Sequence, residues 1–590
     1  MPSTFFVRLS TELRAAVARK HLGQALLAFP LLMGLTAQAQ VAPGADVLRQ
    51  NSVIERQQQE RLREQQQRAL PQPGAPGGTD LKSIQPQVTV PDIGAACRNI
   101  ERIEISGAEL LPSSVRADLV RDYAGRCLAA SDLEAILAAL TRSYIERGYI
   151  TTRAYLPAQD LRSGTLQVAV VEGSIERFEL KQSGREGVRP NLAGAFPARA
   201  GDRLNLRDLE QGIDQINSLA SNNATLDVQP GSEPGRSVVL VNNTASTPLH
   251  LFTTWDNLGT PSTGRYAASA TVSADGLLGL NEVIAVTRRQ AAPYDSEHHA
   301  ELSALHVAVP WGYSTLSYDL SESTYTNALH LPSGTRLDSE GRTLSQSLAL
   351  DRAVYRDQAS RVSLGARLSN QDSRSFLGGE FLDVASRKLS SLDLGVSAFT
   401  QVAGGILNGR VAGVQGLTSF GAEQDADWLP DDVPHAQGRR MALDLGYSRR
   451  FETGALPLVW SSQFSGQYSN DVLYGLQQML VGGPSSVRGS LVNALSGDSG
   501  YYLRNELSVP WQRVFGKEAW SGRFYVGYDF GAVTNNAPGV PSGSMSGLTL
   551  GAAVQWRNAS AEVFASQARH LPSFFIPEGT LWGVRLSFAL

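Results

Sequence analysis

The chain has 590 residues, too many for one ordinary domain, and its 52 Lys+Arg against 56 Asp+Glu leave a formal net charge of −4. That balance excludes the basic footprint of a nucleic-acid binder. Glycine is abundant at 56 while cysteine and methionine are scarce at 2 and 5, and a mean hydropathy of −0.16 excludes a bundle of apolar membrane helices.

Arg8, Arg14, Arg19 and Lys20 supply a positive start. The stretch LGQALLAFPLLMGL (22–35) is apolar but short for a membrane span, and Ala37-Gln38-Ala39 has the small-x-small cleavage pattern. These features predict a signal peptide over 1–39 and a mature protein outside the bacterial cytoplasm. A segment over 40–70 follows. Its part DVLRQNSVIERQQQERLREQQQRAL (46–70) has Arg56/Glu60 and Glu64/Arg68 at helical i,i+4 spacing and is polar on nearly every side. Such a sequence forms a helix bathed in water or stays disordered. Residues 71–96, opening with PQPGAPGGTD, read as a flexible linker.

Cys97 and Cys127 fall in an oxidising compartment, one just before a strand and one just after a helix, which predicts a disulfide. Residues 97–173 and 174–246 then repeat one order, β-α-α-β-β. In the first unit RNIERIEIS (98–106) alternates as a strand, 113–123 is helical, and Ser131 to Glu134 has a capping-box spacing. Leu133, Ile136, Leu137, Leu140 and Tyr144 share one helical face. The second unit places Leu206, Leu209, Ile213, Ile216 and Ala220 likewise.

From 247 to 590 the helices stop and period-two alternation takes over. RVSLGARLS (361–369), MALDLGYS (441–448), LTLGAAVQWR (548–557) and LWGVRLSFAL (581–590) each put apolar residues on one face and charges or glycines on the other. A soluble sandwich alternates too. Export, the length of the region and the terminal aromatics instead indicate a transmembrane β-barrel with a wet lumen.

This order resembles that of the outer-membrane transporters of two-partner secretion, the hemolysin secretion/activation protein family, which belongs to a superfamily of POTRA-bearing barrels. The resemblance covers essentially the whole mature chain. It implies a barrel of sixteen antiparallel strands behind two periplasmic POTRA domains. It also implies a plug helix within 40–70 and a VRG motif on a loop folded into the lumen. Val487-Arg488-Gly489 matches that motif, with Ser490 where the family has an aromatic. FYVGYDFG (524–531) resembles the family's strand with an inward aspartate. Parity alone sends Tyr525, Gly527, Asp529 and Gly531 inward, opposite Phe524, Val526, Tyr528 and Phe530. Arg488 and Asp529 are thus the expected lumenal pair, since a guanidinium in a narrow pore needs a carboxylate.

The resemblance implies a secreted exoprotein with an N-terminal secretion domain as partner, outer-membrane lipids around the barrel, and one chain per pore. A barrel-assembly factor of the same superfamily is the alternative, and a diffusion porin or adhesin a third. Gly497-Asp498-Ser499-Gly500 resembles the nucleophile segment of trypsin-like proteases, but no segment supplies the histidine base. Neither catalytic residues nor metal, nucleotide or other cofactor sites are assigned, because GxxxxGK, HExxH and CxxC are all missing.

Overall fold

A computed structural model describes residues 43–70, 79, 81–85, 97–185, 189–331, 333–454 and 456–590. The signal-peptide segment 1–39 and most of the linker 71–96 lie outside the described residues. From Val47 onward the chain forms one unit.

The polar N-terminal segment is a single α-helix, Pro43–Ala69. Glu64 and Arg68 pair at 3.2 Å as their spacing predicts. Arg56 instead donates to Gln59 at 3.4 Å, and the Glu60 carboxylate accepts from the Ser485 hydroxyl.

In the first small domain Thr165–Val171 is the central strand, parallel to Arg102–Ser106 and antiparallel to Arg153–Tyr155. A parallel pair needs a crossover, and the helices Ser113–Val120 and Ala130–Ile145 provide it. Leu133, Ile136, Leu137, Leu140 and Tyr144 are all buried against the sheet. Two details differ from the sequence reading. The strand expected over 98–106 breaks at Glu101, whose N–H donates to Gly164 O at 2.7 Å. The freed piece Arg98–Ile100 pairs with Arg126–Leu128. The helix cap is not Ser131, which lies inside the helix. Asp132 accepts from the Ala129 N–H at 2.8 Å and so satisfies a donor at the helix start. Beside the extra strand pair, Cys97 and Cys127 form a disulfide with Cα atoms 5.3 Å apart.

The second small domain repeats the plan. Arg236–Ala245 is central, parallel to Ser174–Gly184 and antiparallel to Ala224–Pro230. Helix Leu206–Asn217 buries Leu206, Leu209 and Ile216. The helix ends before Ala220, which is exposed, and Leu219 is buried in its place.

Sixteen long antiparallel strands then close a barrel, the last, Thr580–Ala589, pairing with the first, Leu249–Asp256. Alternation sorts the residues as the sequence predicts. On Glu518–Thr534, Phe524, Val526 and Tyr528 are 59%, 39% and 48% exposed on the outer wall, while Tyr525 and Asp529 are 6% and 0% exposed inside. An even strand number puts both ends of the barrel on one rim, the rim carrying the small domains. Most connections there are short (312–313, 516–517, 557–558), and the longest connections (418–438, 469–498) are on the far rim. Aromatic residues mark the short-turn rim on the outer wall: Trp311, Tyr355 and Phe515 are exposed, and Trp520 stacks on Trp556. No described helix is long and apolar enough to cross a membrane; the crossing elements are the strands.

Candidate functional site in the barrel lumen

The long connection 469–498 turns back into the barrel instead of spreading over its rim. Met479, Val481, Val487 and Leu495 form a small apolar cluster with Val533 and Met545 of the wall, so the loop carries its own core inward. Beyond it comes Arg488, 4% exposed.

The Arg488 guanidinium grips Asp529 through two bonds, Nε to Oδ2 at 2.6 Å and Nη2 to Oδ1 at 2.8 Å. The Arg488 backbone N–H adds a third to Oδ2 at 3.1 Å, so one carboxylate holds both the side chain and the chain that bears it. Nη1 lies 3.3 Å from Glu506, on the neighbouring strand Ser499–Phe515. The wall is cut to fit. A Cβ at Gly527 would lie 2.2 Å from Arg488 Nη2, and one at Gly547 1.6 Å from Arg488 O. Gly531 faces the loop one step further along, where a Cβ would meet Val481 at 2.8 Å. Val487 is buried in the loop cluster and Gly489 lies against the backbone of Ala568.

Glu506 begins a relay of charges that sequence reading had not joined. It pairs with Arg523, which approaches Glu562 at 3.7 Å. Glu562 pairs with Arg585 at 3.5 Å, and Arg585 reaches Glu64 of the N-terminal helix at 2.8 Å. Each of these wall residues lies on the inward parity of its strand, so alternation could have nominated them individually. Their wall partners lie on the next strand or the one beyond it, and only Glu64 comes from a distant part of the chain. The helix is held to the wall by the same kind of contact: Asn51 to Ser339, Glu55 to Ser373, and Gln65 to Thr271. Its single buried apolar anchor among the described contacts is Ile54, against Ala300 and Tyr325.

Asp498, from the protease-like stretch, is 0% exposed and ties the connection 469–498 to itself and to the neighbouring connection 535–542. It accepts from Leu473 N at 2.8 Å, Gln478 Nε2 at 3.0 Å and Asn536 N at 2.8 Å. Ser499 exchanges hydrogen bonds with the Ser469 backbone, with no histidine among its bonded partners. The pair therefore closes the base of the inward loop.

On the short-turn rim, the second small domain docks through polar contacts. Gln211 and Gln215 donate to Gly312 O at 3.2 and 2.8 Å, Tyr313 donates to Asp208, and Arg356 pairs with Asp214 at 2.6 Å. Burial raises the carboxyls of Asp208 and Asp214 above the usual aspartate range, against the pull of Tyr313 and Arg356 respectively.

Residues 235–554 match the family of haemolysin secretion/activation proteins ShlB/FhaC/HecB. Residues 99–173 match the ShlB-type POTRA domain, and residues 174–230 match a POTRA domain. The chain is 31% identical over 542 residues to the outer membrane transporter CdiB of Dickeya dadantii, covering 92% of this chain and 93% of that protein. It is 29% identical over 529 residues to the hemolysin transporter protein ShlB of Serratia marcescens, covering 90% and 89%. The solved structure of CdiB from Escherichia coli superposes with a TM-score of 0.82 at 29% identity, over 94% of this chain and 100% of that one.

Proposed function

The chain belongs to the haemolysin secretion/activation protein family of outer-membrane transporters, its POTRA domains in the periplasm, and on that premise we propose how its lumen works. The transporter moves a large partner exoprotein from periplasm to cell surface. The partner carries an N-terminal secretion domain that the POTRA domains receive. Edge strands there pair with an extended chain through backbone hydrogen bonds, which need no fixed sequence. One chain makes one pore, lipid covers the outer wall, and no nucleotide or catalytic group takes part. The working division is 97–173 and 174–246 for the receiving domains, 247–590 for the pore, and 40–70 for the plug.

The observation that carries this reading is the chemistry of the lumen. The helix, from Asn51 to Gln65, fills it through hydrogen bonds and ion pairs that water can replace. The helix can therefore leave and return without exposing an apolar core, as a plug must. The Arg488–Asp529 grip holds the inward loop in register with the wall beside it. A barrel-assembly role is the second reading. Two receiving domains and a lumenal helix favour secretion, since the assembly factors carry more POTRA units and lack the helix.

Deleting the gene tests the choice. An exoprotein encoded beside it should accumulate in the periplasm while other outer-membrane barrels keep their levels. Loss of those barrels would point to assembly instead, and unchanged export would refute secretion.

A further inference from the structure

The inward loop has a second anchor on the other side of Gly489. The connection 571–579 joins the last two strands, Ala559–His570 and Thr580–Ala589, and carries Glu578. Its carboxylate is surrounded by four consecutive residues of the loop. Oε1 accepts from the Ser490 hydroxyl, from Val492 N at 3.0 Å, from Asn493 N at 3.2 Å and from Asn493 Nδ2 at 3.1 Å. Oε2 accepts from Leu491 N at 2.9 Å. The Ser490 hydroxyl also takes the Asn493 N–H at 2.8 Å, and Asn493 Nδ2 reaches Ile576 O at 2.8 Å, so the turn is closed on itself and on its partner loop. Ser490, Leu491 and Asn493 are 2%, 8% and 8% exposed.

We propose that Glu578 is a positioning residue for transport: it holds segment 490–493 so that Arg488, two residues before that segment's first member, is presented to Asp529. The physical case is directional. Arg488 and the apolar cluster around Val487 tie the loop to the wall up to that point, and the turn beyond Gly489 can still swing about them. Gly489 has φ +123° and sits where a Cβ would lie 2.5 Å from Ala568 N, so its backbone is pressed against the wall. A second tie immediately beyond it removes the remaining freedom. Backbone N–H groups are the donors for three of the bonds, so the anchor depends on the carboxylate and tolerates side-chain changes at Leu491 and Val492. Ser490, in the place of the family's aromatic, contributes a hydroxyl that this carboxylate uses.

The test places single cysteines at Leu491 or Val487 in the full-length protein, whose own two cysteines are disulfide-bonded, and reads labelling by a membrane-impermeant maleimide on intact cells. Leu491→Cys reports the anchored segment itself. Val487→Cys, 0% exposed in the native loop, reports the Arg488 side. Glu578→Gln keeps the size but faces the N–H donors with an amide and loses the charge-assisted bonds. Labelling at both positions should speed up by about tenfold, with Glu578→Asp restoring part of the protection, while the heat-modifiable barrel stays at its native level. Acceleration below about threefold at either position would overturn the proposal, because a carboxylate serving only its own turn would free Leu491→Cys alone. Exoprotein in the medium, normalised to folded barrel, should fall in parallel. That arm rests on the transport reading, whereas the labelling arm does not, so failure of one is distinguishable from failure of the other.

Discussion

The first small domain and the barrel lumen are both buried interiors of one chain, built from opposite materials. In the first, Leu133, Ile136, Leu137, Leu140 and Tyr144 close on Leu166 and Val168 with none more than 1% exposed. In the second, Arg488, Asp529, Glu506, Arg585 and Glu64 meet in pairs. Apolar packing is non-directional and is lost with the area exposed. Charged pairs are directional, and removing one partner leaves the other stranded. Evicting a helix from the first kind of interior would expose apolar surface to water. Evicting one from the second exchanges protein hydrogen bonds for water, which suits an interior that has to open.

That contrast can be tested at several points. The largest effect is expected at the centre of the lumen. Arg488→Ala strands the buried Asp529 carboxylate, and Asp529→Ala leaves the Arg488 guanidinium only its 3.3 Å contact with Glu506, each at a cost of about 3–5 kcal/mol. Each should cut secretion sharply while the barrel still inserts, and the double variant should be less impaired than the sum of the two. Arg488→Lys should also be poor, since an ammonium cannot make the two-pronged contact. Strictly additive defects in exoprotein per folded barrel would show that the two residues act separately.

In the apolar interior, Leu137→Ala should destabilise the first small domain by about 2–5 kcal/mol. Reduction of Cys97–Cys127 should cost that domain about 3–4 kcal/mol. Proteolysis of the POTRA region in the intact protein reads both, with barrel heat-modifiability unchanged.

The helix contacts are weaker one by one. Deleting 46–70 should leave a folded barrel with higher planar-bilayer conductance. Glu64→Gln, which gives up the Arg585 pair, should raise the fraction of open time by less than the deletion does. Conductance at or below the native level after deletion would refute the plug.

The smallest effect belongs to the rim. Asp208 has its carboxyl raised by burial, ahead of the Tyr313 hydrogen bond that lowers it and the nearby Asp202 that raises it. A raised folded-state value means the protonated form is favoured in the docked domain. That contribution is complete below the ordinary aspartate range and is lost as pH rises through the raised value. Amide protection of helix Leu206–Asn217 should therefore be modestly greater near pH 4 than near pH 7, by less than about threefold. Asp208→Asn should flatten the dependence, and an unchanged slope in that variant would assign it to another group.

What the sequence by itself determined is what depends on neighbours along the chain. Period-two alternation sends Asp529, Gly527 and Gly531 inward whatever strand lies beside them, because side chains on a strand alternate by covalent geometry. The helical face around Leu137 follows from the 3.6-residue repeat in the same way. Helix starts were less secure, since Ser131 and Asp132 offer competing side-chain oxygens one residue apart, and the backbone geometry at Ala129 favoured the aspartate. Only the tertiary structure decided which inward groups meet. Glu506 reaches Arg488 because register sets Arg504 opposite Asp529 and Glu506 opposite Gly527. Glu64 reaches Arg585 across almost the whole chain because the helix threads a closed cylinder. Glu578 lies in a loop with no alternation to orient it, and it finds Ser490 only because the inward loop comes to rest against the final hairpin. Local chemistry sets the direction of a side chain, but barrel closure brings remote strands within hydrogen-bonding distance, and no period along the chain encodes that proximity.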